Sequence, residues 1–146
     1  MSIETSELRR RIRAAIELSK KNSIARRTRS DAAAIDYETF LGQIAVPAVQ
    51  QFASALTGEG HLFHVATPAG SVRLTSGSSA DDYIELVVDT TQDPPEVVAR
   101  VNHGRGRRGT TSERPLRERT AIADLTDEDV MAFLLTEIVP FVSGRG

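Results

Sequence analysis

The chain has no cysteine and no tryptophan. The first absence removes disulfides, thiol nucleophiles and thiolate metal sites together, and it fits a reducing compartment. The second, with aromatics at only 5% of the chain, leaves a core that must rest on Val, Ile, Leu, Ala and five phenylalanines. Lysine is nearly missing as well: Lys20 and Lys21 are the only two. A nuclease-type cluster of strand carboxylates backed by a lysine therefore has no lysine close by in the sequence. No apolar run approaches the roughly 20 residues that cross a bilayer, and the stretch MSIETSELRRRIRAAIELSKK carries no secretory apolar segment. The expected location is cytoplasmic, with no membrane partner. Gly-x-Ser-x-Gly, a Walker-type phosphate loop, a dinucleotide fingerprint and a zinc-binding helix motif are all absent, so no catalytic residue, metal or cofactor is assigned.

What is present suits one globular domain. The 146 residues are 40% hydrophobic and 26% charged, and a chain of this length buries about two thirds of its unfolded surface. The net charge of −2 hides an asymmetry. Residues 1–30 hold nine basic side chains (Arg9, Arg10, Arg11, Arg13, Lys20, Lys21, Arg26, Arg27, Arg29) against Glu4, Glu7 and Glu17, so that segment is +6. Residues 31–146 set nine arginines against seventeen carboxylates and carry −8. The domain reading is a basic helical arm over residues 1–30 and a single α+β domain over 31–146.

Leu8, Ile12, Ala15, Ile16 and Ser19 recur at steps of three and four and mark one narrow helical face. The apolar face ends near Ser19, and Lys20–Ser30 is either a solvated continuation of the helix or a linker. Ser30 or Asp31 suits the cap of a second helix with the stripe Tyr37, Phe40, Leu41, Ile44 and Ala48, kinked or broken at Pro47 and ending at Gly58 or Gly60. From His61 the period becomes two: Phe63 and Val65, then Val72 and Leu74, then Ile84, Leu86 and Val88, then Val97, Ala99 and Val101. Thr67-Pro68-Ala69-Gly70 reads as a type I turn of a hairpin. The result is an antiparallel sheet of four strands, with an edge fifth within Thr110–Ala123 that Pro115 limits. Thr126 caps a C-terminal helix whose apolar residues, Val130 to Val139, cover most of its circumference, predicting a buried helix that Pro140 stops.

Four groups of residues bear on function. The outward strand positions Arg73, Glu85 and Arg100 read as a cross-strand charge ladder. Asp81, Asp82, Glu85 and Asp89 are the densest carboxylates, although Asp82 and Glu85 point to opposite faces of a regular strand. His61 and His64 also diverge on a strand, with one of them a partly buried sheet residue and His103 in a loop. The basic elements depart furthest from a bland domain. Arg9, Arg10, Arg11, Arg13, Arg26, Arg27 and Arg29 suit one phosphate track, and Arg105, Arg107 and Arg108 in the loop HGRGRRG suit another. If arm and loop share a side of the fold, they form one basic surface.

Three readings follow. The first is a non-enzymatic accessory protein that holds nucleic acid by its backbone, without stacking readout, since no aromatic is interleaved with the arginines. The second is an assembly adaptor whose Leu8, Ile12, Ala15 and Ile16 stripe packs against an acidic protein partner or a second copy of the chain. The third is a metal-assisted hydrolase at Asp81, Asp82 and Glu85.

Overall fold

The computed structural model describes residues 2–105 and 108–143. Its first element, α1, runs without interruption over Thr5–Phe40. Neither glycine nor proline occurs before Gly42, and Ala32, Ala33 and Ala34 favour helix at the point where a cap was expected, so Ser30 and Asp31 do not start a new helix. Lys20–Ser30 is helix continuation and not a linker.

The irregularity expected at Pro47 lies just ahead of it. Leu41–Ala45 is a single π turn, closed by the Val46 N–H donating to the Leu41 carbonyl, and α2 then covers Val46–Gly58 with Pro47 in its first turn. Pro47 has no N–H to offer the preceding turn and its ring crowds the Gln43 carbonyl, and a widened turn accommodates both.

Five strands follow: β1 Phe63–Ala66, β2 Val72–Ser76, β3 Tyr83–Asp89, β4 Glu96–Arg105 and β5 Arg108–Pro115. They form one antiparallel meander in the order β1-β2-β3-β4-β5. In the β1–β2 hairpin the Ser71 N–H donates to the Pro68 carbonyl at 3.0 Å. The turn is thus shifted by one residue from the type I expectation and places Gly70 at its third position, where φ is 77° as a type II turn requires. β5 is a regular edge strand, and Pro115 sits at its last position, where the lost donor costs no ladder bond.

Side-chain alternation divides the sheet into two faces. Phe63, Val72, Leu74, Ile84, Leu86, Val97, Ala99 and Val101 turn toward the helices and join Ala33, Tyr37, Phe40, Ala45, Val49 and Phe52 in one core. The C-terminal helix α3, Asp127–Glu137, starts from a capping box in which Thr126 and Asp129 bond each other's backbone N–H, and it closes the core with Val130, Leu134 and Ile138. Its burial is one-faced, with Leu135 and Val139 on the solvent side, because only one layer lies against it. A short turn α4, Val139–Val142, carries Pro140 in its first turn. Arg114 and Arg117, which follow the basic loop in sequence, bind Glu137 at 2.5 Å and Asp129 at 3.2 Å and so tie β5 and its exit to α3.

The two neighbouring leucines of α3 provide a test of this packing. Leu134→Ala, at a fully buried position, is expected to cost about 2–5 kcal/mol, and Leu135→Ala, 62% exposed, within about 0.5 kcal/mol. Urea unfolding of the two variants measures the difference.

Candidate interaction surfaces

Only Ala33, Tyr37 and Phe40 of the 36 residues of α1 are buried. No residue from Ser2 to Ala32 is buried. The helix meets the body through Tyr37, whose hydroxyl donates to the Gly70 carbonyl at 2.6 Å, and through Arg29, which donates to both carboxylate oxygens of Asp93 at 3.0 and 2.8 Å. Arg26 approaches the same carboxylate at 3.7 Å. The paired Arg29 guanidinium holds Asp93 below the usual carboxylate range and is itself pushed upward. Burial, and next the charge of Glu85, push the Tyr37 phenol up to about 12.

Asp93 lies in the β3–β4 connection, so α1 crosses that end of the sheet and continues past it. From Arg26 back to Thr5 the helix extends roughly 30 Å at about 1.5 Å per residue. Steps of three and four lead from Phe40, Tyr37 and Ala33 through Arg29 and Arg26 to Ser19, Ala15, Ile12 and Leu8. The face that packs on the body is therefore the face that carries the apolar stripe beyond it. Leu8, Ile12 and Ile16 are 45%, 48% and 48% exposed, an apolar strip with nothing against it among the described residues.

The basic residues do not form one surface. β4 and β5 extend into the expected loop as paired strands as far as Arg105 and Arg108, which are backbone partners, and Arg107 lies outside the described residues. That hairpin end is opposite the β3–β4 connection, separated from it by the ten residues of β4, roughly 30 Å of strand. The arm leaves from the far end. Within the arm, Arg10 and Arg11 bond Glu7, which the Arg10 contact holds below its ordinary range, and Arg26 and Arg29 share Asp93. Arg9, Arg13, Lys21 and Arg27 have no carboxylate partner among the described residues. A cleft of about 340 Å³ at the foot of the arm is lined by Ser23, Arg26, Arg27, Thr90, Gln92, Asp93 and Pro95 among others.

The ladder register is as anticipated, with Arg73 opposite Glu85 and Glu85 opposite Arg100. The pairing differs. Glu85, only 6% exposed, accepts from Ser71 at 2.8 Å and Arg73 at 3.2 Å, whereas Arg100 turns to Glu113 at 3.0 Å. The Arg73 guanidinium also stacks 4.5 Å over the Tyr83 ring. The carboxylates of the hydrolase reading are not brought together: Asp82 accepts from the Gly104 N–H at 2.7 Å on the helix side, and Glu85 occupies the other face. No group of three or more His, Asp or Glu residues suited to a metal occurs among the described residues. His61 and His64 are both exposed: His64 because the alternation in β1 places Phe63 inward, and His61 because it precedes the strand. His103 is a strand residue, 3.5 Å from Asp82 and edge-on to Phe141 at 4.8 Å, because β4 runs further than its apolar alternation indicated. No helix among the described residues is long and apolar enough to cross a membrane.

Neither a family model, nor a curated protein, nor a solved structure matches the chain.

Sequence reasoning missed Asp93 as the anchor of the arm. Its only local signal was a carboxylate between two turn-forming stretches, Thr90–Gln92 and Pro94–Pro95, and its partners lie 64 and 67 positions away. Asp93→Asn is expected to loosen the foot of the arm: amides of residues 23–32 should exchange faster, with those of β3 and β4 unchanged. Because the pair lowers the Asp93 pKa, its contribution is present above the unfolded carboxylate value of about 3.9 and is lost as pH falls through the lower folded value. Wild type should converge on the variant there, as NMR amide exchange across a pH series would show.

Proposed function

We propose that the chain is a non-enzymatic assembly adaptor whose N-terminal helix is the interaction element. One observation carries this reading: Leu8, Ile12 and Ala15 lie on an exposed helix in phase with the face that packs on the body, with Ile16 at the edge of the same stripe. An isolated helix of this kind is marginal in water, since most helical stability in proteins comes from packing an amphipathic face. A helix laid along the stripe supplies that packing. The narrowness of the face suits one partner helix and not a sheet or a membrane surface.

A photo-activatable residue at position 16, on the stripe, is expected to cross-link to protein in cells that make this chain. The same residue at position 17, on the opposite face, is expected to yield far less. Equal labelling from both positions, or none from position 16, would sink the adaptor reading.

Capture of nucleic-acid backbone by the arm is the second reading, favoured by the four cations Arg9, Arg13, Lys21 and Arg27 that have no carboxylate partner among the described residues. Its surface is the arm alone, because the Arg105–Arg108 hairpin end lies at the other end of the sheet. On this reading, duplex DNA or RNA binding weakens with salt by a log–log slope of about 0.9 per phosphate engaged. Arg9→Gln combined with Arg13→Gln and Arg27→Gln should abolish it. Anisotropy of a labelled duplex that does not change with salt, or that is equal for wild type and variant, would remove this reading.

A further inference from the structure

We infer that the helix covering the stripe is the arm of a second copy of this chain, packed antiparallel. The inference rests on the adaptor reading and names its partner.

The length of the free helix sets the register. The arm projects freely only as far as Asn22, because Arg26 and Arg29 are occupied at the Asp93 loop. A second helix on the body-facing side, about 8–10 Å away, must therefore end beside Ser23. The longest antiparallel overlap that meets this limit puts Leu8 opposite Ser19 and Ile12 opposite Ala15, in both directions at once. One turn more brings Thr5 opposite Arg26 at the Asp93 loop, and one turn less leaves Ser19 and Asn22 uncovered.

Charge favours the same arrangement. Laid parallel, the two arms set the basic run Arg9, Arg10, Arg11 and Arg13 beside its own copy. Laid antiparallel, they set Arg9 beside the second copy's Ile16, and Arg11 beside its Leu18. The aliphatic stems of both arginines can cover those exposed side chains while the guanidinium groups stay in water. The tip of each arm, with Glu4, then arrives at Ser23 and the cleft lined by Arg26 and Arg27 of the other copy. There its carboxylate meets Arg27, which has no carboxylate partner among the described residues, and Arg26, held only at 3.7 Å from Asp93. The acidic tip and the basic foot are opposite ends of one helix, so only the antiparallel pair joins them twice. Ala15, Ser19 and Asn22 in the seam are small or polar, so the pair is a modest, concentration-dependent dimer.

The absence of cysteine makes the test direct. Leu8→Cys and Ser19→Cys proteins, mixed in equal amounts under mild oxidation, are expected to form chiefly the mixed disulfide. Sedimentation of the wild type at a few hundred micromolar is expected to show twice the chain mass. Ile12→Glu combined with Ile16→Glu should weaken association by about tenfold or more with an unchanged melting curve, since both side chains are half exposed in the single chain. Disulfides joining two Leu8→Cys chains and two Ser19→Cys chains in place of the mixed one would overturn the antiparallel register. A wild type that stays monomeric would overturn the second-copy partner. A monomeric chain whose position 16 cross-links to a different protein in cells would overturn this inference and leave the adaptor reading in place.

Discussion

A straight α-helix points one face in a constant direction, so a face that packs at one end is presented in the same orientation at the other. In α1 this constraint joins the core to the surface. Tyr37 and Phe40 are held in the core and Arg29 is clamped on Asp93, which leaves the rotation of the helix no freedom. Leu8, Ile12, Ala15 and Ile16 are then displayed on a known side, roughly 15 to 27 Å beyond the contact at Arg26. The π turn at Leu41–Ala45 sets the angle at which this long lever joins α2, and Pro47 is its cause.

The charge asymmetry of the chain takes a different form once folded. A +6 segment and a −8 segment suggest a cationic arm on an anionic body, but the strongest contacts between them concentrate on one carboxylate. Asp93 gathers Arg26 and Arg29, Glu7 gathers Arg10 and Arg11, Lys20 lies 4.0 Å from Glu17, and Arg9, Arg13, Lys21 and Arg27 have no carboxylate partner among the described residues. Exposed pairs of this kind contribute little stability each. Their value here is positional, since a bidentate arginine sets direction better than a single charge contact. The arginines after the β4–β5 hairpin are structural in the same sense, with Arg114 and Arg117 spent on fastening the sheet edge to α3.

The face of the sheet turned away from the helices combines one buried charge with one exposed pair. Glu85 is covered by Arg73, which lies over Tyr83, and by the Ser71 hydroxyl. A carboxylate so enclosed needs each of these partners, because an unpartnered buried charge is costly. Arg100 pairs with Glu113 on the edge strand, so the row of three charges divides into two pairs. Position in a register decides which side chains are neighbours, but rotamer and burial decide which of them bond.

The sequence by itself determined the elements whose physics is local. Alternation of Phe63, Val72, Leu74, Ile84, Leu86, Val97 and Ala99 marked four strands and their buried face, and Thr126 with Asp129 marked the start of α3. Steps of three and four marked the stripe of Leu8, Ile12, Ala15 and Ile16 on the arm. These signals depend on neighbours within a few residues, which a single chain displays directly. Only the tertiary structure decided that α1 continues through Ser30, since propensity there competes with good capping residues. It alone brought Asp93 to Arg29, separated Arg26 from Arg105 by the length of a strand, and turned Glu85 toward Ser71. Each of these is a contact between distant segments, and its partner is chosen by how whole elements pack, which no local pattern encodes.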